Sequence, residues 1–152
     1  MNTASQQVAN DDTGVKASSV CFIAAVLMVI VGMAWGITMG ISQDHAAMPA
    51  HAHLNLLGWV SLFLFGIFYH LHPAIDRSRL AMVQVLLWIV ATIVMVVGVA
   101  LVHTGHEIGD PIAAAGSLVV LAAMLPFAWL VVRRGRFAQA ATAARSAFVP
   151  AE

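Results

Sequence analysis

Seven histidines stand in a chain that is otherwise poor in polar side chains. His51 and His53 form a His-x-His pair at the start of one long apolar stretch, and His70 and His72 form a second pair at its end. Imidazole binds iron, copper and zinc, and an ionisable side chain inside a membrane segment is costly and for that reason often functional. These histidines are therefore the first candidates for chemistry.

The stretch between the two pairs belongs to a chain with the composition of an integral membrane protein. Of its 152 residues, 61% are hydrophobic and 9% are charged, whereas a soluble domain is about half apolar and about a quarter charged. A helix needs roughly 20 apolar residues to cross the hydrocarbon core of a lipid bilayer. We therefore expect an all-α membrane bundle of four helices with up-down-up-down topology. The predicted spans are Ser18–Thr38, His53–Leu71, Leu80–Val102 and Pro111–Val132.

The basic residues predict how these helices are oriented. Those near the ends of the spans precede the first helix, separate the second from the third and follow the fourth, and they are Lys16, Arg77, Arg79, Arg133, Arg134 and Arg136. The other two connections contain no lysine or arginine. Because basic loops stay in the cytoplasm, we expect both termini to be cytoplasmic, in the inner membrane of a bacterium.

The rest of the composition limits the domain organisation and the classes of partner. We expect one membrane domain, residues 18–134, between a flexible cytoplasmic tail of residues 1–17 and a second cytoplasmic tail of residues 135–152. Cys21 is the only cysteine, which excludes an intramolecular disulfide and a cysteine-based metal site. The net charge is zero and no basic stripe is present, so a nucleic-acid partner is not expected.

The surroundings of the first pair point to a cofactor. Residues two apart on an α-helix point about 200° apart, so His51 and His53 serve two different sites rather than one ion. Asn55 and Gly58 share the face of His51, and a glycine beside a histidine leaves room for a flat ligand. A porphyrin would suit both faces, with Asn55 orienting or hydrogen-bonding it.

For several other residues, hydration and helix packing are sufficient explanations. His70 and His72 lie about 25 Å along the helix from the first pair, in the headgroup region, where histidines are usually hydrated; their role stays open. Glycines at spacing four in the first helix predict close helix packing, and they are Gly32, Gly36 and Gly40.

The third helix ends in a second group of metal-binding side chains. His103 and His106 are three residues apart and can share a helical face, and Glu107 follows them directly. Imidazole and carboxylate together suit zinc or copper. A copper or zinc site at His103, His106 and Glu107 is therefore a second expectation.

The segment HAHLNLLGWVSLFLFGIFYHLHP, residues 51–73, resembles a histidine-bearing helix of subunit I of the haem-copper oxidase superfamily, which includes the nitric oxide reductases. The likeness lies in the histidine at the start, in the LxLxGW-like run that follows and in the FGxxYxLxP-like exit. It covers this helix closely, while the other helices match in number and polarity.

The resemblance implies a cofactor and an assembly. Subunit I of that family consists of three groups of four helices, and this chain resembles one such group. The family holds a low-spin haem between histidines on equivalent helices of two groups. By this resemblance, a homotrimer would bind haem b between His51 of one subunit and His53 of its neighbour, near the outer surface. Iron held by two histidines is six-coordinate and suits electron transfer; gas sensing is the second role that we expect.

A complete oxygen-reducing centre is not implied. The family has two adjacent histidines on a copper ion where this chain has His103 and His106 separated by two residues, and the family's cross-linked tyrosine has no counterpart. Oxidoreductase activity is left open, and a quinol or a protein redox partner could supply electrons. Two alternatives remain: a membrane protein that binds copper or zinc through the outer histidines and carboxylates, and a haem-free accessory subunit of an oxidase.

Overall fold

The computed structural model describes the backbone of residues 15–146 and the side chains of residues 15–135. Within this range the chain is helical and contains no strand. Four helices are long and apolar enough to cross a membrane, which confirms the prediction of an all-α chain with four candidate spans. The helices are α1 (Ala17–Ser42), α2 (Met48–His70), the short α3 (Pro73–Asp76), α4 (Arg79–His103) and α5 (Gly109–Ser146).

The observed helices match the predicted spans within a few residues, except at the end of α5. This helix continues to Ser146, well beyond the end of the predicted span at Val132. The tail expected from residue 135 onward is therefore helical as far as Ser146. Residues 1–14 and 147–152 lie outside the described range, so the predicted tails are described only in part.

Local sequence signals account for several of the helix ends. Pro49 and Pro73 stand in the first turns of α2 and α3. N–H groups in a first turn have no partner within the helix, so proline, which lacks the N–H, costs no helical hydrogen bond there. Ser78 caps α4 because its hydroxyl oxygen accepts a hydrogen bond from the Ala81 N–H at 3.2 Å. Gly105, with φ of 82°, follows α4 in the left-handed conformation that glycine adopts without strain.

The start of α1 is capped from another element. Ser18 donates from its backbone N–H and from its hydroxyl to the two carboxylate oxygens of Asp76, at 2.7 and 2.8 Å. Both residues are buried, and the negative carboxylate lies at the positive end of the helix dipole. The contact ties the first turn of α1 to α3, which connects α2 to α4.

The long helices pack in the order α1, α2, α4, α5. The backbones of α4 and α5 approach each other most closely. A methyl group added at Gly98, Gly109 or Gly116 would overlap backbone atoms of the facing helix. Small residues bring membrane helices together in this way. α1 packs mainly against α2, so the two ends of this row present large apolar surfaces.

Aromatic rings and one polar pair fill the core between α2, α4 and α5. The Phe65 ring centroid lies 4.8 Å from that of Trp88 and 4.2 Å from that of Phe127. Tyr69 donates from its hydroxyl to Gln84 Oε1 at 2.7 Å, and both side chains are fully buried. A polar group in hydrocarbon must find its partner within the protein, so this bond stabilises the contact between α2 and α4.

The surface of the bundle is apolar along the long helices. Exposed side chains on α1 and α5 include Ile41 at 80% and Val132 at 83% relative accessibility. Large exposed apolar surfaces mark contact with a membrane or a partner, and here they accompany four helices of spanning length. The surface is therefore compatible with direct contact with a lipid bilayer.

Candidate functional site

His51 lies where the start of α2 meets α1. A methyl group at Gly36 would lie 3.2 Å from His51 Cε1, so the glycine makes room for the imidazole. Trp35 meets the same imidazole edge to face, with 6.3 Å between ring centroids. Asn55 Nδ2 donates to the His51 carbonyl oxygen at 2.9 Å and lies 3.2 Å from His51 Nε2. Because an amide nitrogen only donates, Nε2 acts there as an acceptor.

An open groove runs beside this imidazole. Its volume is about 420 Å³, within the range of small-molecule sites, about 300–1,000 Å³. Its walls come from α1 and α2. The lining residues are Met33, Gly36 and Ile37 of α1 and His51 and Asn55 of α2. A ligand in this groove would be covered by the chain on one side only.

His53 has one ring nitrogen engaged and one available. Its Nδ1 lies 2.7 Å from the Pro49 carbonyl oxygen. A carbonyl oxygen only accepts, so Nδ1 donates in this bond and Nε2 is the ring nitrogen left to bind a metal. Histidines that bind metals usually have their other ring nitrogen held in this way. Because two residues turn an α-helix by about 200°, His53 lies on the flank of α2 that faces away from His51.

The sequence predicted that Gly58 leaves room beside His51, but the glycine that does so is Gly36 of α1. The Met28 side chain fills the space next to Gly58, and its Sδ would lie 2.5 Å from a methyl group added at that glycine. Asn55 packs against Gly32 of α1, where an added methyl group would lie 2.6 Å from Asn55 Oδ1. Gly32 and Gly36, predicted only to pack, thus accommodate polar side chains of α2, while Gly40 has no neighbour within 4 Å. The place of Gly36 beside His51 was not predicted, although the glycine periodicity was a signal for it.

The backbone changes immediately after His53. Residues Leu54–Ser61 form a π-helix, and the α-helix resumes at Leu62. Two side chains satisfy carbonyl oxygens in this stretch: Trp88 Nε1 of α4 donates to the Leu57 carbonyl at 3.1 Å, and Ser61 Oγ donates to the Leu56 carbonyl at 2.8 Å. Short π-helical insertions occur frequently at functional sites. The predicted α-helical span had no signal for this one.

The second predicted metal site is not assembled among the described residues. His103, His106 and Glu107 are all exposed; His103 Nδ1 lies 2.9 Å from the Val99 carbonyl, and His106 Nδ1 lies 3.1 Å from Thr104 Oγ1. In residues 15–135, no group of three or more histidine, cysteine or acidic side chains is placed to hold one metal ion.

The remaining histidines lie apart from His51 and His53. His72 stacks on Phe68 with 4.4 Å between ring centroids, and His70 is exposed near Phe22. His45 is exposed in the loop between α1 and α2, with Nδ1 3.1 Å from the Gln43 carbonyl oxygen.

Comparisons of the chain with models of known protein families, with curated proteins and with solved structures find no match. The likeness to haem-copper oxidase subunit I therefore rests on the residues of α2 alone.

Proposed function

We propose that this chain is a small membrane protein that binds haem b between neighbouring subunits, with His51 of one subunit and His53 of the next as axial ligands. The observation that carries the proposal is the divergence of the two imidazoles. His51 lines an open groove beside α1, while His53 lies on the other flank of α2 with Nδ1 bound to a carbonyl oxygen. Each therefore suits one side of a flat ligand.

The residues around His51 fit such a group. Gly36 leaves space beside the His51 imidazole, and Met33 and Ile37 supply apolar walls. The His51 imidazole would exchange its contact with Asn55 for the iron, and Asn55 would remain attached to the His51 carbonyl oxygen. Held by His51 and His53, the haem would supply one-electron transfer chemistry.

A closed ring of identical subunits would complete the site. One chain covers the groove on one side only, and its second histidine faces away. A heterologous contact that closes on itself produces cyclic symmetry, and the resemblance to one third of a larger subunit favours three copies. Each of three sites would then receive one histidine from each of two subunits.

The proposed orientation has the haem near the outer surface. All the lysines and arginines near helix ends lie on the side of α3 and the two chain ends, and basic loops stay in the cytoplasm. Contacts between Ser18 and Asp76, and between Gly36 and His51, support alternating helix directions. We therefore propose an up-down-up-down bundle with cytoplasmic termini in a bacterial inner membrane.

Electron transfer is the role that this site suits best, and gas sensing is the second. Electrons would come from a quinol or from a protein redox partner at the membrane.

An optical spectrum of the purified protein tests the proposal. We expect a Soret band and sharp α and β bands after reduction with dithionite, and a mass in mild detergent that corresponds to a closed trimer. A colourless protein with stoichiometric copper or zinc would favour the metal-binding alternative instead. A protein with neither would favour the accessory-subunit alternative, and a haem-loaded monomer would contradict the shared site.

A further inference from the structure

The direction in which His51 and His53 point depends on the π-helical part of α2. The turn that carries both histidines, Met48–His53, is α-helical, and so is the segment from Leu62 to His70. The π-helix between them holds more residues in each turn than an α-helix does. It therefore rotates the histidine-bearing turn relative to the segment that anchors α2 in the core.

The π-helix is held by a side chain from outside α2. Trp88 Nε1 donates to the Leu57 carbonyl oxygen at 3.1 Å. Trp88 is 2% exposed and packs edge to face against Phe65, so its indole is anchored in the core. Ser61 Oγ provides a second bond, to the Leu56 carbonyl oxygen. In hydrocarbon an unsatisfied carbonyl is costly, so these donors favour the π-helical arrangement over an α-helical one.

We propose that Trp88 is a positioning residue for the candidate ligands: its indole N–H maintains the π-helical register that directs His51 toward Gly36 and His53 toward the opposite flank. Without this donor, α2 would return toward continuous α-helix. Because the two kinds of helix differ in twist and rise per residue, restoring i−4 pairing over Leu54–Ser61 would rotate and shift the histidine-bearing segment relative to the core. This inference deepens the proposed function and rests on it for its consequence on haem.

A cysteine cross-link reports the rotation without haem. In a Cys21→Ala background, Gly32→Cys and Asn55→Cys would place two thiols at the α1–α2 contact. Asn55 Cγ lies 3.0 Å from the Cβ position of Gly32, which places the two Cβ atoms within reach of a disulfide, about 3.5–4.5 Å. We expect rapid cross-linking by copper phenanthroline in native membranes. Gly40→Cys, which has no neighbour within 4 Å, replaces Gly32→Cys in the negative control.

Trp88→Phe is the test variant, since it removes the N–H and keeps a ring in the core. We expect the cross-link yield to fall several-fold in Trp88→Phe and to stay unchanged in Trp59→Phe, a matched change at an exposed tryptophan of α2. Ser61→Ala should lower the yield in the same direction, and it replaces Trp88→Phe if that variant does not reach the membrane.

Two outcomes would overturn the inference: full cross-linking in Trp88→Phe and Ser61→Ala, or no cross-linking with Trp88 intact. In the chain with its natural cysteine and no introduced ones, Trp88→Phe should also change the low-spin haem signal in electron paramagnetic resonance, or lose haem. Trp59→Phe should retain both the haem and its signal. If wild-type protein contains no haem but the cross-link still depends on Trp88, the proposed function fails and the positioning role of Trp88 in α2 stands.

Discussion

Mixed assemblies of two single variants would reveal whether one haem takes its ligands from two chains. His51→Ala keeps His53, and His53→Ala keeps His51, so either variant alone would lack one ligand at every site. The two histidines lie on different flanks of α2, so each chain would contribute to two separate sites. Co-expression of the variants should therefore restore some complete pairs.

The size of the restored fraction follows from the ring. Around any trimer that contains both variants, an intact His51 meets an intact His53 of the next subunit at only one of the three contacts. Haem content should therefore reach about one third of the wild-type value in a cyclic trimer. Each variant carries a different affinity tag, and two successive purifications select mixed trimers. Haem is measured per chain by the pyridine haemochrome spectrum.

A result at the level of the single variants would refute the shared site. If both ligands came from one chain, no mixture would contain a complete pair, and co-expression would restore nothing. Two differently tagged copies of wild-type protein give the full value, and two tagged copies of His51→Ala give the baseline. His45→Ala, a change in an exposed loop, should retain the full haem content when combined with wild type.

Two further predictions concern the bundle that holds the site, and both are measured as the free energy of unfolding in detergent. Asp76→Ala should destabilise the protein by about 2–6 kcal/mol, because the two donors of Ser18 lose their partner at about 1–3 kcal/mol each. Asp76→Asn, which keeps an acceptor, should cost about 1 kcal/mol or less. Gly98→Ala should destabilise by about 1–3 kcal/mol through overlap with the α5 backbone, whereas Gly40→Ala, in open space, should stabilise by up to about 1 kcal/mol.

Each pair has a result that would contradict the structure. Equal stability of Asp76→Ala and wild type would mean that the carboxylate does not cap α1. Stabilisation by Gly98→Ala similar to that by Gly40→Ala would mean that α4 and α5 are not in backbone contact at that glycine. The Gly40 variant also controls for the intrinsic preference of alanine over glycine in a helix.

The helices could be predicted from composition because hydrocarbon restricts which segments can cross it. A spanning segment must satisfy its backbone internally and must be apolar over about 20 residues. The four predicted spans therefore lie within helices of the structure or differ from them by a residue. The end of α5 was less predictable, since Arg133, Arg134 and Arg136 interrupt the apolar run and hydropathy no longer indicates where the helix stops.

The candidate site could be predicted only where residues share one helix. The common face of His51 and Asn55 follows from helical spacing, and the structure brings both side chains against α1. Gly58 also follows from that spacing, but Met28 of α1 fills its space. Contacts between helices depend on their mutual rotation, which spacing within one helix does not specify.

Four candidate membrane spans and two His-x-His pairs can be read from the sequence alone, because length, hydropathy and spacing are local properties. The space that Gly36 leaves for His51, the cap that Asp76 provides for α1 and the π-helix bonded to Trp88 became evident only from the packed helices. Each of these depends on atoms from two elements: an α1 glycine, an α3 carboxylate and the Trp88 indole of α4. Such contacts exist only after the helices have packed.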